Sequence, residues 1–530
     1  MPEDQPPAEP GEGSSDWSWS RPDRGDDTTG ARRALPRGED FRRTVGFTVL
    51  GTVVPGVGLI AAGRKVVGSI VLAVFVLVLA ALGVAAAVDR DALISMGVDP
   101  TSLRRIAIVL AVVAALWVVV VVATHLALRS RPTRPQRIVG GVLVGVLAFA
   151  VAAPMAVAAR TAYVQAGLVG TLFKSSDQTK SATRPTDEPG ATHPGDKEKQ
   201  SDPWADKPRL NVLLLGGDDG KGRVGTRTDT VILASIDTKT GDTTLFSLPR
   251  NTARMPFPSD SPLKKYYPNG FTDGNGENAE FFLNAMYRDV PANVPKNVIG
   301  DTDNLGADVM KLSVGQALGL KVDYYVLINL QGFSTMIDAL GGIRLNVNTY
   351  IPIGGNTDLH IPPKEFIKPG PNQKMDGRSA LWYARGRYGS DDFARMDRQR
   401  CVINAMIKQA NPANVLTRYE DVANASKSLV KTDLPQEVLP AMVDLSLRVK
   451  DGNVRSVVFK NGVNGFVSAN PDFSQMRSRV KKAIGEAKDD STPKKTTSSS
   501  GSGKAPTSED VDSSCKYDPK IAATARPYTG

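Results

Sequence analysis

At 530 residues, with 65 lysines and arginines against 55 aspartates and glutamates, the chain is long enough for several folding units and carries a net charge of +10. Three histidines (His125, His193 and His360) and two cysteines leave no ligand set for a His/Cys zinc site, and a Ser–His–Asp or Cys–His site would have to be built on His360 alone. There is no GxxxxGK[ST] loop and no paired CxxC, so hydrolase triads, zinc chemistry and ATP use are all disfavoured.

Residues 1–40 are rich in Pro, Asp, Glu, Gly and Ser and read as disordered. With the arginines up to Arg43 they form a cytoplasmic arm over residues 1–43. Four charge-free stretches follow in a membrane region over 44–160: Thr44–Gly63, Val66–Val88, Ile106–Leu128 and Ile138–Ala159. The last three have the length of membrane-spanning helices. The first holds Gly46, Gly51, Pro55, Gly56 and Gly58, a composition poor for a straight helix, and is expected to be re-entrant or interfacial. Arginines concentrate before residue 44 and again at Arg129, Arg131, Arg134 and Arg137, whereas Asp89–Arg105 balances three aspartates with three arginines. The positive-inside rule then puts the N-terminus inside, three crossings in a cell membrane, and everything after Ala159 outside. Much of the positive charge thus lies in cytoplasmic arms beside an anionic leaflet, and no nucleic-acid partner is expected.

Residues 174–207 are polar without apolar periodicity and predict an extracytoplasmic linker; 488–530 predict a flexible tail. Between them, 208–487 form the folded outer domain. Strands are expected at Leu210–Leu215, Thr230–Ile236, Thr243–Ser247, Asp323–Leu330, Ile343–Val347 and Ser456–Lys460. Helices are expected at Ala279–Tyr287, Ala307–Ala317, Gln331–Leu340, Arg378–Ala384, Arg395–Ala410 and Leu434–Val449, with Gly341-Gly342 capping the third. Interleaved in this way, they predict an α/β sandwich around a mostly buried sheet. Both cysteines, Cys401 and Cys515, fall outside the membrane, where an oxidising compartment favours a disulfide over two unpaired thiols.

Charged clusters sit beside the predicted strands. The first strand runs into Gly216-Gly217-Asp218-Asp219, Arg227-Thr228-Asp229-Thr230 precedes the second, and Ser247-Leu248-Pro249-Arg250 follows the third. A fourth cluster, Ala384–Arg400, packs five arginines and three aspartates into seventeen residues without a lysine. Arg385 and Arg387 alternate at strand spacing, while Arg395 and Gln399 share a helix face with Arg398 alongside. Arginine's planar fork suits phosphate oxygens, and carboxylates among such arginines suit a divalent cation held against a pyrophosphate. Taken singly, each cluster reads equally well as a strand-end turn or a structural salt bridge; together they favour a phosphate site.

The run LLLGGDDG…RTDTVILASID…SLPRN…YYVLINLQGF…DALGGI…GPNQKMDGRSALWYARGR…DDFARMDRQR resembles the LytR–CpsA–Psr family, in order from about Leu210 to Ala410. The resemblance implies an αβα sandwich around a mixed central sheet, with a hydrophobic groove for a polyprenyl chain. It implies a phosphotransferase that moves a glycopolymer from a polyprenyl-pyrophosphate carrier onto peptidoglycan, with catalysis by charge neutralisation. Carried over by motif, Arg227, Arg250, Arg385, Arg387, Arg395 and Gln399 would bind the pyrophosphate, and Asp218 and Asp229 would position Mg²⁺ or Mn²⁺. Arg398 joins the phosphate ligands by its place on the helix, and Asp392 is the guess for a general base. Two positions depart from the family pattern: Asn251 stands where an aspartate is usual, and no lysine precedes Asn284-Ala285. The competing readings are a pyrophosphatase acting on the same lipid and a non-catalytic sensor of lipid phosphate.

Overall fold

A computed structural model describes residues 37–88, 96–129, 133–186, 204, 206–218, 225–356, 359–409, 430–489 and 508–528. The expected arm up to residue 36, the linker at 187–203 and 205, Asp219, and the tail at 490–507 lie outside these residues. The chain separates into two compact units, one built on the described residues up to Leu72 with Val120–Leu147, the other on Ala73–Val119 and the described residues from Ala148 onward.

The apolar region forms α1 (Arg37–Val53), α2 (Val57–Ala61), α3 (Lys65–Val88), α4 (Pro100–Leu128) and α5 (Arg134–Leu172). Lys65–Ala85, Pro100–Leu128 and Arg134–Thr171 are long and apolar enough to cross a membrane. The glycine- and proline-rich first stretch is broken as its composition demands: α1 ends at Val53, and Gly56, at φ 100°, turns the chain into α2. In the first unit a Cβ on Gly58 would stand 2.3 Å from the Thr124 methyl, so only glycine permits this backbone approach. His125 Nδ1 lies 3.2 Å from Thr48 Oγ1, which gives the ring a polar partner among apolar neighbours.

The second unit is an αβα sandwich. Its sheet holds β1 (Arg209–Gly217), β2 (Thr228–Asp237), β3 (Thr243–Leu248), β4 (Tyr324–Asn329) and β9 (Val430–Thr432), with β10 (Val454–Val458) and β11 (Glu509–Asp510). The order is β11-β10-β3-β2-β1-β4-β9. The pairs β1–β4 and β3–β10 are parallel and the others antiparallel, so the sheet is mixed. Period-two alternation assigns the faces. Leu213, Leu215, Val231, Leu233, Phe246 and Leu248 point into one core with α6 (Leu283–Asn293), α7 (Leu305–Leu318) and α12 (Phe473–Asp489). Leu210 and Val212 point the other way, against α11 (Leu439–Asp451) and the buried Trp204. Both faces are covered, which is why these strands read as nearly unbroken apolar runs.

A smaller lobe follows β4: α8 (Leu330–Ala339), β5 (Ile343–Val347), β6 (Ile351–Ile353), β7 (Glu365–Ile367), β8 (Gly370–Met375), α9 (Gly377–Arg385) and α10 (Asp392–Gln409). The side chains of Asn329, Asp376 and Asp391 accept hydrogen bonds from the first-turn amides of α8, α9 and α10. Gly341 and Gly342, both near φ 86°, follow the Leu340 C-cap and turn the chain out of α8. The sequence reading missed β6 to β8, because β6 and β7 are only three residues each and β8, GPNQKM, is largely exposed without apolar alternation. The helix expected at Ala279–Tyr287 starts later, at Leu283, after a 3₁₀ turn over Ala279–Phe281.

Two expected flexible segments are partly docked. In the linker, Ser181 Oγ and the Ala182 N–H donate to Asp308 at 2.7 and 3.0 Å, Lys180 N–H donates to Asp303 at 3.0 Å, and Trp204 Nε1 donates to the Ala441 carbonyl at 3.0 Å. A polar segment without periodicity is held here by satisfying a buried carboxylate. In the tail, residues 508–528 carry β11, α13 (Val511–Ser514) and α14 (Pro519–Thr524), and Cys515 is bonded to Cys401 on α10 with Cα atoms 5.7 Å apart.

Candidate active site

The first glycine of the β1 terminus is required by contact: a Cβ on Gly216 would meet Thr230 Oγ1 at 2.9 Å. The β1–β2 register slips here, pairing Gly216 with Thr230 but Gly217 with Thr228, so Asp229 is the extra residue of a β-bulge. Bulges re-aim side chains, and this one turns Asp229 toward Arg250, which follows β3 and donates through Nη1 to Asp229 Oδ1 at 2.8 Å. Arg395, only 4% exposed on the first turns of α10, donates to the Asp229 carbonyl at 3.0 Å and pairs with Asp392 at 2.9 Å. Burial pushes the Asp229 pKa up, but the charge and hydrogen bond of Arg250, with Arg395 and Asn284, outweigh it and hold the carboxyl below its usual range. Burial likewise depresses the Arg395 pKa while Asp392 opposes the shift; a guanidinium stays charged regardless.

A cavity of about 830 Å³ opens beside these groups. Asp218, Asp229, Asn284, Gln399 and six arginines (Arg227, Arg250, Arg288, Arg385, Arg387 and Arg395) line it, and the remaining wall is largely apolar, with Leu214 of β1, Val326 and Ile328 of β4, Phe333 and Met336 of α8, and Ile403, Met406 and Ile407 of α10. Arg385 lies over the Trp382 ring at 5.0 Å, and Gln399 Nε2 donates to the Ala384 carbonyl at 3.4 Å. Across the cavity Arg227 and Arg288 both bind the Glu280 carboxylate, whose pKa is lowered, first by the Arg227 hydrogen bond and then by the remaining arginine contacts, against the opposing effect of burial.

The phosphate- and metal-binding candidates read from the sequence therefore gather at one cavity, Arg398 excepted. Arg398 is 9% exposed and does not line it. Its guanidinium donates instead to the carbonyls of Tyr383, at 2.8 Å, and Gly386. On α10 it is rotated about 60° from Arg395 and about 100° from Gln399, which turns it toward α9 rather than the cavity. In this structure Arg398 braces the turn that presents Arg385 and Arg387. Asp392, the guess for a base, also lies outside the lining; it is paired with Arg395 and, at 3.6 Å, with Arg250. Asn251 is outside the lining too, its amide 3.4 Å from Ser468 Oγ. Arg288 and Asn284 were missed as site residues. They fall at i and i+4 on α6 and share a face, a signal available once the helix start at Leu283 is known.

The donor set fits a hard cation. Asp218 and Asp229 line one cavity, and between the arginines Asn284 Oδ1 is buried without a hydrogen-bond partner. Among the described residues no group of three or more His, Cys, Asp or Glu side chains could hold an ion by itself. A cation here would be completed by phosphate oxygens and water, the coordination Mg²⁺ favours.

Similarity to known proteins falls on this same part of the chain. The chain is 28% identical over 243 residues to the polyisoprenyl-teichoic acid–peptidoglycan teichoic acid transferase TagU of Oceanobacillus iheyensis, covering 45% of this chain and 63% of that protein. It is 30% identical over 233 residues to the TagU of Enterococcus faecalis, covering 43% and 62%. It is 27% identical over 312 residues to biofilm regulatory protein A of Streptococcus mutans, covering 56% and 68%. The chain thus spans a little under two thirds of the length of the two TagU proteins. Residues 174–482 match the LytR_cpsA_psr family. That span contains every cavity residue named above, and the chain is a member of the LytR–CpsA–Psr family.

Proposed function

We propose that this protein transfers a glycopolymer from a polyprenyl-pyrophosphate carrier to peptidoglycan, leaving a phosphodiester link. The observation that carries the reading is the convergence of six arginines at the edge of an apolar-walled cavity of about 830 Å³. A pyrophosphate joined to a long hydrocarbon is the kind of ligand that needs both. The printed names of the TagU relatives, which describe transfer between a polyisoprenyl carrier and peptidoglycan, support the same chemistry.

In this mechanism an acceptor sugar hydroxyl attacks the phosphorus that bears the glycan. The bond to the bridging oxygen breaks, and polyprenyl phosphate leaves, its freed phosphate oxygen taking up the proton that the hydroxyl loses. Such transfer asks little covalent chemistry of the protein; positioning and charge neutralisation dominate. Arg227, Arg250, Arg385 and Arg387 neutralise the phosphoryl oxygens, while the buried Arg395 fixes Asp229 and Gln399 lines the same wall. Asp218 and Asp229, with Asn284 Oδ1 beside them, would hold Mg²⁺ or Mn²⁺, which when bound supplies further charge at the phosphate oxygens. Leu214, Phe333 and Ile407 offer the polyprenyl chain an apolar wall. The helices of the apolar region anchor the protein as a multi-pass membrane protein with the catalytic domain outside, where the carrier's pyrophosphate supplies the driving force without ATP.

The test uses the purified full chain with Mg²⁺, a polyprenyl-pyrophosphoryl disaccharide and a short peptidoglycan oligomer, followed by mass spectrometry. A phosphodiester-linked product that Arg227→Ala abolishes is expected. Free sugar phosphate would make the protein a pyrophosphatase, and near-normal turnover by Arg227→Ala would refute the assignment.

A further inference from the structure

Residues 508–528 fold back onto the elements that carry the arginines. Four residues of α10 hold their first part: Arg400 through an ion pair of 3.5 Å with Glu509, Cys401 through its bond to Cys515, Asn404 through a 2.6 Å hydrogen bond to Asp512, and Lys408 through an ion pair of 3.6 Å with the same aspartate. The next part runs beside β5. Asn346 and Asn348 donate to the carbonyls of Cys515 and Lys516 at 3.0 and 2.9 Å, and Asn348 accepts from the Asp518 N–H at 2.9 Å. Beyond α14 the chain reaches the loop that follows Arg387. There the Tyr528 ring lies on the backbone of Gly389 and against Tyr388, with ring centroids 5.6 Å apart and planes inclined by 60°. Gly389 has φ 71°, and a Cβ on it would stand 2.3 Å from the Tyr528 ring, so both the turn and the seat of the ring require glycine. Tyr388 lines the cavity and adjoins Arg387, yet Tyr528 keeps 54% of its surface open.

An aromatic ring seated this specifically, beside the arginines and half open, is surface prepared for a ligand with an apolar face and polar edges. We propose that Tyr388 and Tyr528 form an aromatic platform for a pyranose ring of the lipid-linked glycan. The inference rests on the transferase reading above and deepens it by assigning the sugar end of the donor. A pyranose presents a face of C–H groups that stacks on an aromatic ring, and its hydroxyls can exchange hydrogen bonds with the phenolic oxygens. Because the glycan is attached through the phosphate that the arginines grip, the residue following Arg387 is placed to meet the first sugars. The bond between Cys401 and Cys515 then has a role at the site: it keeps Tyr528 within reach although 140 residues separate Tyr388 from Tyr528 (528 − 388).

The test measures binding of two probes to the full chain, parent and Tyr528→Ala, in detergent with Mg²⁺. One probe is polyprenyl-pyrophosphoryl disaccharide and the other is the same polyprenyl pyrophosphate without sugar. The platform predicts that Tyr528→Ala weakens the sugar-bearing probe by roughly three- to tenfold, leaves the sugar-free probe unchanged, and is rescued by Tyr528→Trp. Equal affinities in parent and variant would overturn it. An equal loss for both probes would also overturn it, because the segment would then only brace the arginine loop. A parent chain that binds neither probe would instead bring down the transferase reading, and the platform with it.

Discussion

Arg395 and Arg398 show how little separates a ligand-facing cation from a structural one. Both are nearly buried and both have pKa values depressed by burial. Arg395 reaches the cavity, while Arg398 is spent on two backbone carbonyls. Arg288 makes the converse point, since a residue with no motif around it stands across from the arginine loop in the same cavity. We expect Arg288→Ala to weaken binding of polyprenyl pyrophosphate by about tenfold, the worth of a charge-assisted hydrogen bond, and Arg288→Lys to recover most of it. Titration of the three proteins with the lipid measures this; an alanine variant that binds like the parent would reduce Arg288 to a counter-ion for Glu280.

At the scale of elements, the turn between α9 and α10 sets where Arg385 and Arg387 stand. Arg385 ends α9, Arg387 lies just beyond, and Arg398 ties that turn to α10 through the carbonyls of Tyr383 and Gly386. Replacing Arg398 with alanine leaves two buried acceptors unpaired, at a cost of roughly 2–3 kcal/mol. The unfolding midpoint of Arg398→Ala should therefore fall while that of Arg227→Ala stays near the parent's. An unchanged midpoint with lost phosphate binding would restore Arg398 as a ligand. The β1–β2 bulge is a second such device, because without the extra residue Asp229 would follow the strict alternation of β2. Neither feature has a local signal: a bulge appears only when two strands are set in register, and a carbonyl acceptor is invisible in a side-chain pattern.

For the whole molecule, the segments expected to be loose are the ones that complete the domain. Residues 175–184 satisfy the buried Asp308, and 508–528 are tied to α10 by a disulfide spanning 114 residues. Intact mass should rise by two alkyl labels only after reduction, and reduction should lower the unfolding midpoint, since opening a loop of that length costs roughly 4–5 kcal/mol in the chain-entropy account. Labelling of either cysteine without reductant would remove the tether. Much of this organisation was legible beforehand. Apolar runs of membrane length, strands of period two, glycine caps and the lysine-free arginine cluster are local properties, set by backbone geometry and by the length of chain that must be shielded from water. They determined the sandwich, the apolar helices and the arginine-rich character of the cavity. Only the tertiary structure decided which arginines face that cavity, that Asn284 and Arg288 join them, that Asp392 does not, and that Tyr528 returns to its edge. Those outcomes rest on contacts between residues tens to more than a hundred positions apart, and no local pattern encodes which distant face a side chain will meet.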